Sequence, residues 1–279
     1  MRRIAAWALA AGAAAVASAA PPAPPHELSA AQILEKNAEA RGGAQAWRKI
    51  DTMVWVGHAE SANAQASKVP FMLEQKRPNK TRFEIIADKQ KSVRVFDGTN
   101  GWKLRLTSGG RPELQSYTIE EMNFARSAQV IDGPLLDYAA KGVTVALAGV
   151  EEVEGRKAYR LDVRLSSGLR QRAWIDAETF LDVRWEREAH NASGRSATVR
   201  MHYRNYHSFD GLQIPLTIET VTVSGSATDR LLIDKIALNP PLAERDFAKP
   251  SMPGGRRNAV AVDTRAPPPV ARQTQHAAP

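Results

Sequence analysis

The chain has 279 residues, 43% of them apolar, with no cysteine and a formal net charge of +8. The lack of cysteine excludes disulfide staples, thiol chemistry and a lipidated cysteine anchor, so a large core must hold the fold alone. The charge does not mark a nucleic-acid binder: Arg2 and Arg3 stand at the N-terminus, and Arg256, Arg257, Arg265 and Arg272 face only Asp263 in the tail, which leaves about +3 for the body.

Residues 1–19 carry the three parts of a secretory signal: the basic Arg2-Arg3 pair, an apolar run from Ile4 to Val16, and the small residues Ala17-Ser18-Ala19. The run is shorter than the ~18 apolar residues of a spanning helix, and no later stretch reaches that length. Pro21, Pro22, Pro24 and Pro25 make 20–28 a linker. The expected location is the periplasm. A folded domain is expected over 29–250. Residues 251–279, with five prolines and scattered arginines, read as a disordered tail with weak attraction for anionic lipid head groups.

Within the domain, Ser29 and Gln32 have the spacing of a capping box. Ile33, Leu34, Asn37, Ala38 and Arg41 then follow at helical spacing, and Gly42-Gly43 ends the helix. From Thr52 the period changes to two. Strands are predicted over 52–60, 68–76, 80–87, 92–97 and 101–107, with turns at Arg77-Pro78-Asn79, at 97–101 and at Ser108-Gly109-Gly110. Two helices are predicted next, over 119–128 and 134–140, the second opened by Asp132-Gly133-Pro134. Strands then resume around Tyr159–Leu165, Leu181–Trp185 and Val199–Tyr203, and over 212–224 and 230–238, with turns at Glu154-Gly155, at 166–168, at 192–194 and at Asp210-Gly211. The pattern is mainly β with a few helices, about 11–12 strands in a barrel or sandwich.

Enzyme templates are missing. There is no G-x-S-x-G elbow, P-loop, H-E-x-x-H or dinucleotide fingerprint. His202 and His207 are five apart and face opposite sides of a regular strand, so no metal or cofactor is expected. Glu120-Glu121 and Glu151-Glu152 are consecutive and diverge, unlike an acid/base dyad. Arg82, Arg94, Arg105, Arg160, Arg164, Arg184 and Arg200 read as an outer face, or else as a basic rim for phosphate head groups. The aromatic residues Trp55, Phe71, Phe83, Trp102, Trp185 and Tyr203 lie at parities that can face inward. A dozen strands bent into a partial barrel enclose more volume than side chains fill, and a barrel mouth under helices suits an apolar ligand.

Several short motifs occur in a telling order: Ala40-Arg41-Gly42-Gly43, Lys76-Arg77-Pro78-Asn79-Lys80, Phe96-Asp97-Gly98 with Gly101-Trp102, and Val153-Glu154-Gly155-Arg156-Lys157-Ala158-Tyr159. Trp174-Ile175-Asp176-Ala177-Glu178-Thr179, Asp210-Gly211-Leu212-Gln213-Ile214-Pro215 and Phe247-Ala248-Lys249-Pro250 follow. In this order the chain resembles the LolA/LolB-like superfamily of periplasmic outer-membrane lipoprotein-sorting proteins, over about 29–250. The resemblance implies an unclosed antiparallel β-barrel covered by short helices, with an apolar cavity for the acyl chain of a lipid or lipoprotein. By that resemblance Trp55, Phe71, Leu73, Phe83, Ile85, Val95, Trp102, Leu104, Trp185 and Tyr203 would line the sheet, and Met122, Phe124 and Leu135 the lid. The expected protein is a non-enzymatic, monomeric lipid carrier that meets membranes peripherally, and its partner proteins would be membrane-bound. A second reading is a sensor domain in an envelope-stress pathway that binds a protein partner. A third, a hydrolase, lacks an assembled acid, base and nucleophile.

Overall fold

The computed structural model describes residues 28–61, 68–87, 90–106, 111–128, 131–190, 196–222 and 228–251. The expected export signal, nearly all of the expected linker, the expected tail past Ser251 and the turns expected at 108–110 and 192–194 lie outside them.

Helix α1 (Ala30–Ala40) begins as its sequence dictates. Ser29 Oγ accepts from the backbone N–H of Gln32, and the Gln32 side chain accepts from the Ser29 N–H at 2.9 Å. Its buried stripe is Ile33, Leu34 and Asn37. Gly42 (φ +104) and Gly43 (φ +89) then turn the chain into a short helix, α2 (Ala44–Arg48). Gly42 has a second reason to be glycine: a Cβ there would lie 2.2 Å from the carbonyl oxygen of Gly211. The Gln213 N–H donates to the Arg41 carbonyl at 3.1 Å beside it, so two distant motifs are clamped backbone to backbone.

Among the described residues thirteen strands form one antiparallel sheet. The first six are β1 (Thr52–Ser61), β2 (Val69–Lys76), β3 (Lys80–Ala87), β4 (Gln90–Phe96), β5 (Gly101–Leu106) and β6 (Pro112–Ser116). Helix α3 (Ile119–Ser127) follows. Then come β7 (Thr144–Val153), β8 (Arg156–Arg164), β9 (Arg170–Asp176), β10 (Asp182–His190), β11 (Ser196–Phe209), β12 (Leu212–Thr222) and β13 (Thr228–Leu238). The order is β6-β5-β4-β3-β2-β1-β13-β12-β11-β10-β9-β8-β7. The chain therefore runs out to one edge, crosses through α3 to the opposite edge, and runs back until β13 meets β1. Edges β6 and β7 do not pair, so the barrel is unclosed. The hairpins at Glu154-Gly155 and Asp210-Gly211 have positive φ at both residues, the turn that matches strand twist.

One local reading needs correction. Residues 134–140 are not a helix but part of a run of turns over 131–142. Asp137 adopts φ +52, which an α-helix cannot contain, and its carboxylate accepts from Arg48 Nε at 2.7 Å. The strands picked out in the sequence are joined by β6, β7 and β9, which complete the sheet.

The core divides by location. Ile33, Leu34, Leu135, Leu161, Ile175 and Trp185 pack together, joining α1 to β8–β10. Trp47, Ile50 and Met53 pack with Ile131, Leu136, Leu212 and Ile214 near α2. Arg77 ties this region together, donating to the carbonyls of Ile50 and Trp47 and to Asp132. On the other face of β4 and β5, Val93, Val95 and Leu104 pack on Phe247, from a 3-10 turn at Glu244–Phe247. Arginines on the strands of the other half meet carboxylates: Arg172, Arg184 and Arg200 all reach Glu186, and Arg160 reaches Glu151.

Phe247 is 1% exposed and is the central plug of its cluster. Phe247→Ala is expected to destabilise the protein by roughly 3–5 kcal/mol, measured by urea denaturation. A buried carboxylate gives a second test. Burial pushes Glu74 up to about 7 from 4.5, against the pull of Arg82 and with the push of Glu84 and Asp246. The fold thus retains a proton that the unfolded chain releases, and stability falls as pH rises from 4.5 to about 7. Glu74→Gln should flatten that decline in denaturation midpoints taken across the interval.

Candidate ligand hollow beneath the third helix

Strand register decides which side chains share a face. Trp55 pairs with Leu73, Leu73 with Phe83, Phe83 with Arg94, Arg94 with Lys103, and Lys103 with Gln115. Directly paired residues lie on one side of a sheet, so this row looks the same way. From the opposite end, Val145 pairs with Val163, Val163 with Gln171, and Gln171 with Arg187. Apart from Trp55, the residues of both rows border one hollow of about 2370 Å³, and Ile119, Glu121 and Phe124 of α3 border it as well. The sheet therefore curls until its two ends share a cavity, with α3 at the gap between the unpaired edges.

The thirteen residues expected to line a cavity separate into groups. Leu73, Phe83 and Phe124 do border the hollow. Phe71 is buried beside it, its ring 5.8 Å from that of Phe83. Ile85, with Phe83, borders a smaller hollow of about 220 Å³. Trp55 packs against the Trp47 cluster instead. Leu135, Trp185 and Tyr203 belong to the packed core under α1, and Met122 is half-buried on α3 away from the hollow's wall.

Val95, Trp102 and Leu104 are on the wrong side for the large hollow. Val95 pairs with Trp102, in the row that packs on Phe247, although Leu104 also touches the smaller hollow. Alternation shows that two faces differ; it does not show which face is concave. On β4 and β5 the apolar face is covered by the C-terminal segment, and the basic face meets the hollow. Arg94 and Arg105 are therefore not simply an outer face. They border the hollow with Lys103 and Arg187, two cations that periodicity gave no reason to single out.

The polar geometry centres on α3. The helix has a capping box of its own: Thr118 Oγ1 accepts from the Glu121 N–H at 3.2 Å, and Glu121 Oε2 accepts from the Thr118 N–H at 2.9 Å. Glu121 Oε1 also accepts from Arg94 Nη2 at 2.8 Å and from Lys103 Nζ at 3.0 Å. Burial by itself would raise the Glu121 pKa, but these bonds outweigh it and hold the group at about 2. Arg94 also sits 5.0 Å over the Tyr117 ring, which has room only because residue 101 is glycine: a Cβ there would come 2.1 Å from the ring. Arg187 lies 4.5 Å over the Phe124 ring, its Nε is buried without a hydrogen-bond partner, and burial lowers its pKa. At the other end of α3, Asn79 Nδ2 donates to the Arg126 carbonyl at 3.2 Å. No side chain of α3 is buried, and Ile119 is 83% exposed. The helix is held by ion pairs, a cation–π contact and one end bond, and could leave the sheet without opening a core.

Among the described residues no group of three His, Asp or Glu side chains is placed to hold a metal, and no helix is long and apolar enough to cross a membrane.

The frame so built is an unclosed antiparallel half-barrel with helices against it, which is a divergent LolA-like fold. It is similar to the crystal structure of a LolA superfamily protein from Nitrosomonas europaea, at 16% identity and a TM-score of 0.53 over 80% of this chain and 99% of that one. A DUF1329 family protein from Desulfovibrio piger is similar too, at 12% identity and a TM-score of 0.51 over 77% of this chain and 95% of that one. No family model matches the sequence, and no curated protein does. At these identities the likeness is one of fold.

The depressed Glu121 pKa gives the lid contact a definite pH dependence. The contribution is complete above 4.5, the ordinary value, and is lost as pH falls toward about 2. Glu121→Gln should release α3 already at neutral pH, read as several-fold faster amide hydrogen exchange in 119–127 with the sheet unchanged.

Proposed function

We propose that this protein is a periplasmic binder and carrier of lipids or lipoprotein acyl chains, of the lipoprotein-sorting type, acting by partition and without a covalent step. The observation that carries the reading is the hollow itself. At about 2370 Å³ it is larger than the ~300–1,000 Å³ of a site for one small ligand. Leu73, Phe83, Val145, Val163 and Leu169 give it an apolar floor. Each methylene moved there from water gains about 0.8 kcal/mol, so a long chain is held without directional bonds. Helix α3, none of whose own side chains is buried, is the part that moves to admit the chain. The LolA-like frame and the secretory pattern of residues 1–19 support the same compartment and role.

Binding of a neutral fluorescent lipid, followed by emission, tests this directly, and native mass spectrometry of protein extracted from the periplasm should show a co-purifying lipid. Phe83→Asp puts a charge on the hollow's floor and should weaken the probe about tenfold or more. Trp102→Ala, on the opposite face, should leave affinity unchanged. Equal loss in both variants, or failure of the parent protein to bind any lipid probe, neutral or charged, defeats the carrier reading.

A further inference from the structure

Taking the hollow as an acyl-chain site, we propose further that its ligand is an amphiphile with an anionic headgroup, and that this headgroup takes the place between Arg94 and Lys103 where the Glu121 carboxylate sits. The wall of the hollow is itself amphipathic. On β2–β6 the face toward the hollow bears Leu73 and Phe83, then Arg94, Lys103 and Arg105. Among the described residues Glu113 is the one strand carboxylate on that face of β2–β6, and it is 3.6 Å from Arg105. The charge of Arg94 and Lys103 is met instead from the lid, by Glu121 at 2.8 and 2.9 Å.

That arrangement constrains what can enter. A chain passing under α3 displaces the helix, and Glu121 leaves with it. Lys103, the more enclosed of the two, would then face a cavity filled with hydrocarbon, where a charge without a partner is strongly unfavourable. Arg94, half-exposed over the Tyr117 ring, would lose its ion pair at the rim. A wholly neutral lipid gives them nothing in return. A ligand carboxylate or phosphate restores the bonds that Glu121 made, with charge-assisted geometry of the same kind. Phe83 pairs directly with Arg94, so a chain on the Phe83 ring sets its head beside the two cations. The same movement lifts Phe124 off Arg187, whose Nε has no partner, and uncovers a further cation facing the ligand. Asp162 and Glu188 also border the hollow, so net charge is not the argument; the paired site under the lid is.

The test compares stearic acid carrying an anthroyloxy fluorophore with its methyl ester, on the full chain. The acid should bind at least about tenfold tighter, the scale of one charge-assisted hydrogen bond. In the double variant Arg94→Gln, Lys103→Gln that ratio should collapse to about one, and Glu121→Gln, which removes the internal competitor, should tighten the acid selectively. Lysophosphatidic acid should displace the labelled acid, and acetate or inorganic phosphate should not. Equal affinity of acid and ester in the parent protein overturns the anionic headgroup and leaves the carrier reading standing. A ratio that survives the double variant overturns the placement at Arg94 and Lys103. Displacement by acetate or phosphate as effective as by the lipid overturns the amphiphile in favour of a free-anion site. Failure of both probes to bind overturns the carrier reading and this inference with it.

Discussion

A sheet that curls without closing must leave two edges unpaired and one concave face with no second sheet to cover it. Everything else in this molecule answers that constraint. Helix α1 fills one part of the concavity with Ile33 and Leu34. Helix α2 and the turns over 131–142 fill another with Trp47, Ile131 and Leu136. What those elements do not reach stays open as the hollow. The edges are managed differently: β6 is short and begins at Pro112, and the chain between β6 and β7 carries α3 across the mouth. The lid is thus not an added part. It is the connection that an unclosed antiparallel sheet needs in order to travel from one edge to the other.

The two longer helices are attached in different ways. Helix α1 is fixed by buried side chains and by Asn37, which donates to the Phe180 carbonyl at 2.8 Å. Removing it would expose a core. Helix α3 has no buried side chain of its own and is held mainly by charge, partly screened by salt where Arg94 is exposed. Two helices of similar length on one sheet therefore differ in what displacing them would cost. A site that must open repeatedly is better covered by the second kind.

Much of this frame was legible in the sequence, and the reason is local chemistry. The Ser29 capping box, the double glycine after α1, the Asp210-Gly211 hairpin and the period-two runs of β1 to β5 each specify their own conformation. The concave face was not legible, because it depends on pairing rather than on pattern. Ala87 pairs with Gln90, and that one relation puts Arg94 opposite Phe83 and sends Val93 and Val95 to the other side. A register displaced by one residue would have reversed them. Phe247, over 150 residues further along, then supplies the apolar cover that turns Val95, Trp102 and Leu104 from an apparent cavity wall into core. The 134–140 segment failed for a related reason: Asp137 is held at positive φ where Arg48, from a helix the pattern did not reveal, meets its carboxylate.

The motifs that carried the resemblance turn out to occupy joints. Gly42 lies on Gly211, Arg77 binds the carbonyls before β1, Asp97 accepts from the Thr99 and Asn100 N–H groups, and Asp176 does the same for Glu178 and Thr179. None of Arg94, Lys103, Glu121 or Arg187 belongs to any of these motifs. Joints fix how the chain turns, and so they transmit a fold between sequences that share little else. Ligand chemistry resides in the strand interiors between them, where side chains can change without disturbing a turn. A likeness built from joints therefore speaks for the fold alone, and the contents of the hollow have to be argued from the lining of this chain: an apolar floor at Leu73 and Phe83, and beside it two cations satisfied by a carboxylate on a helix that has no buried side chain of its own.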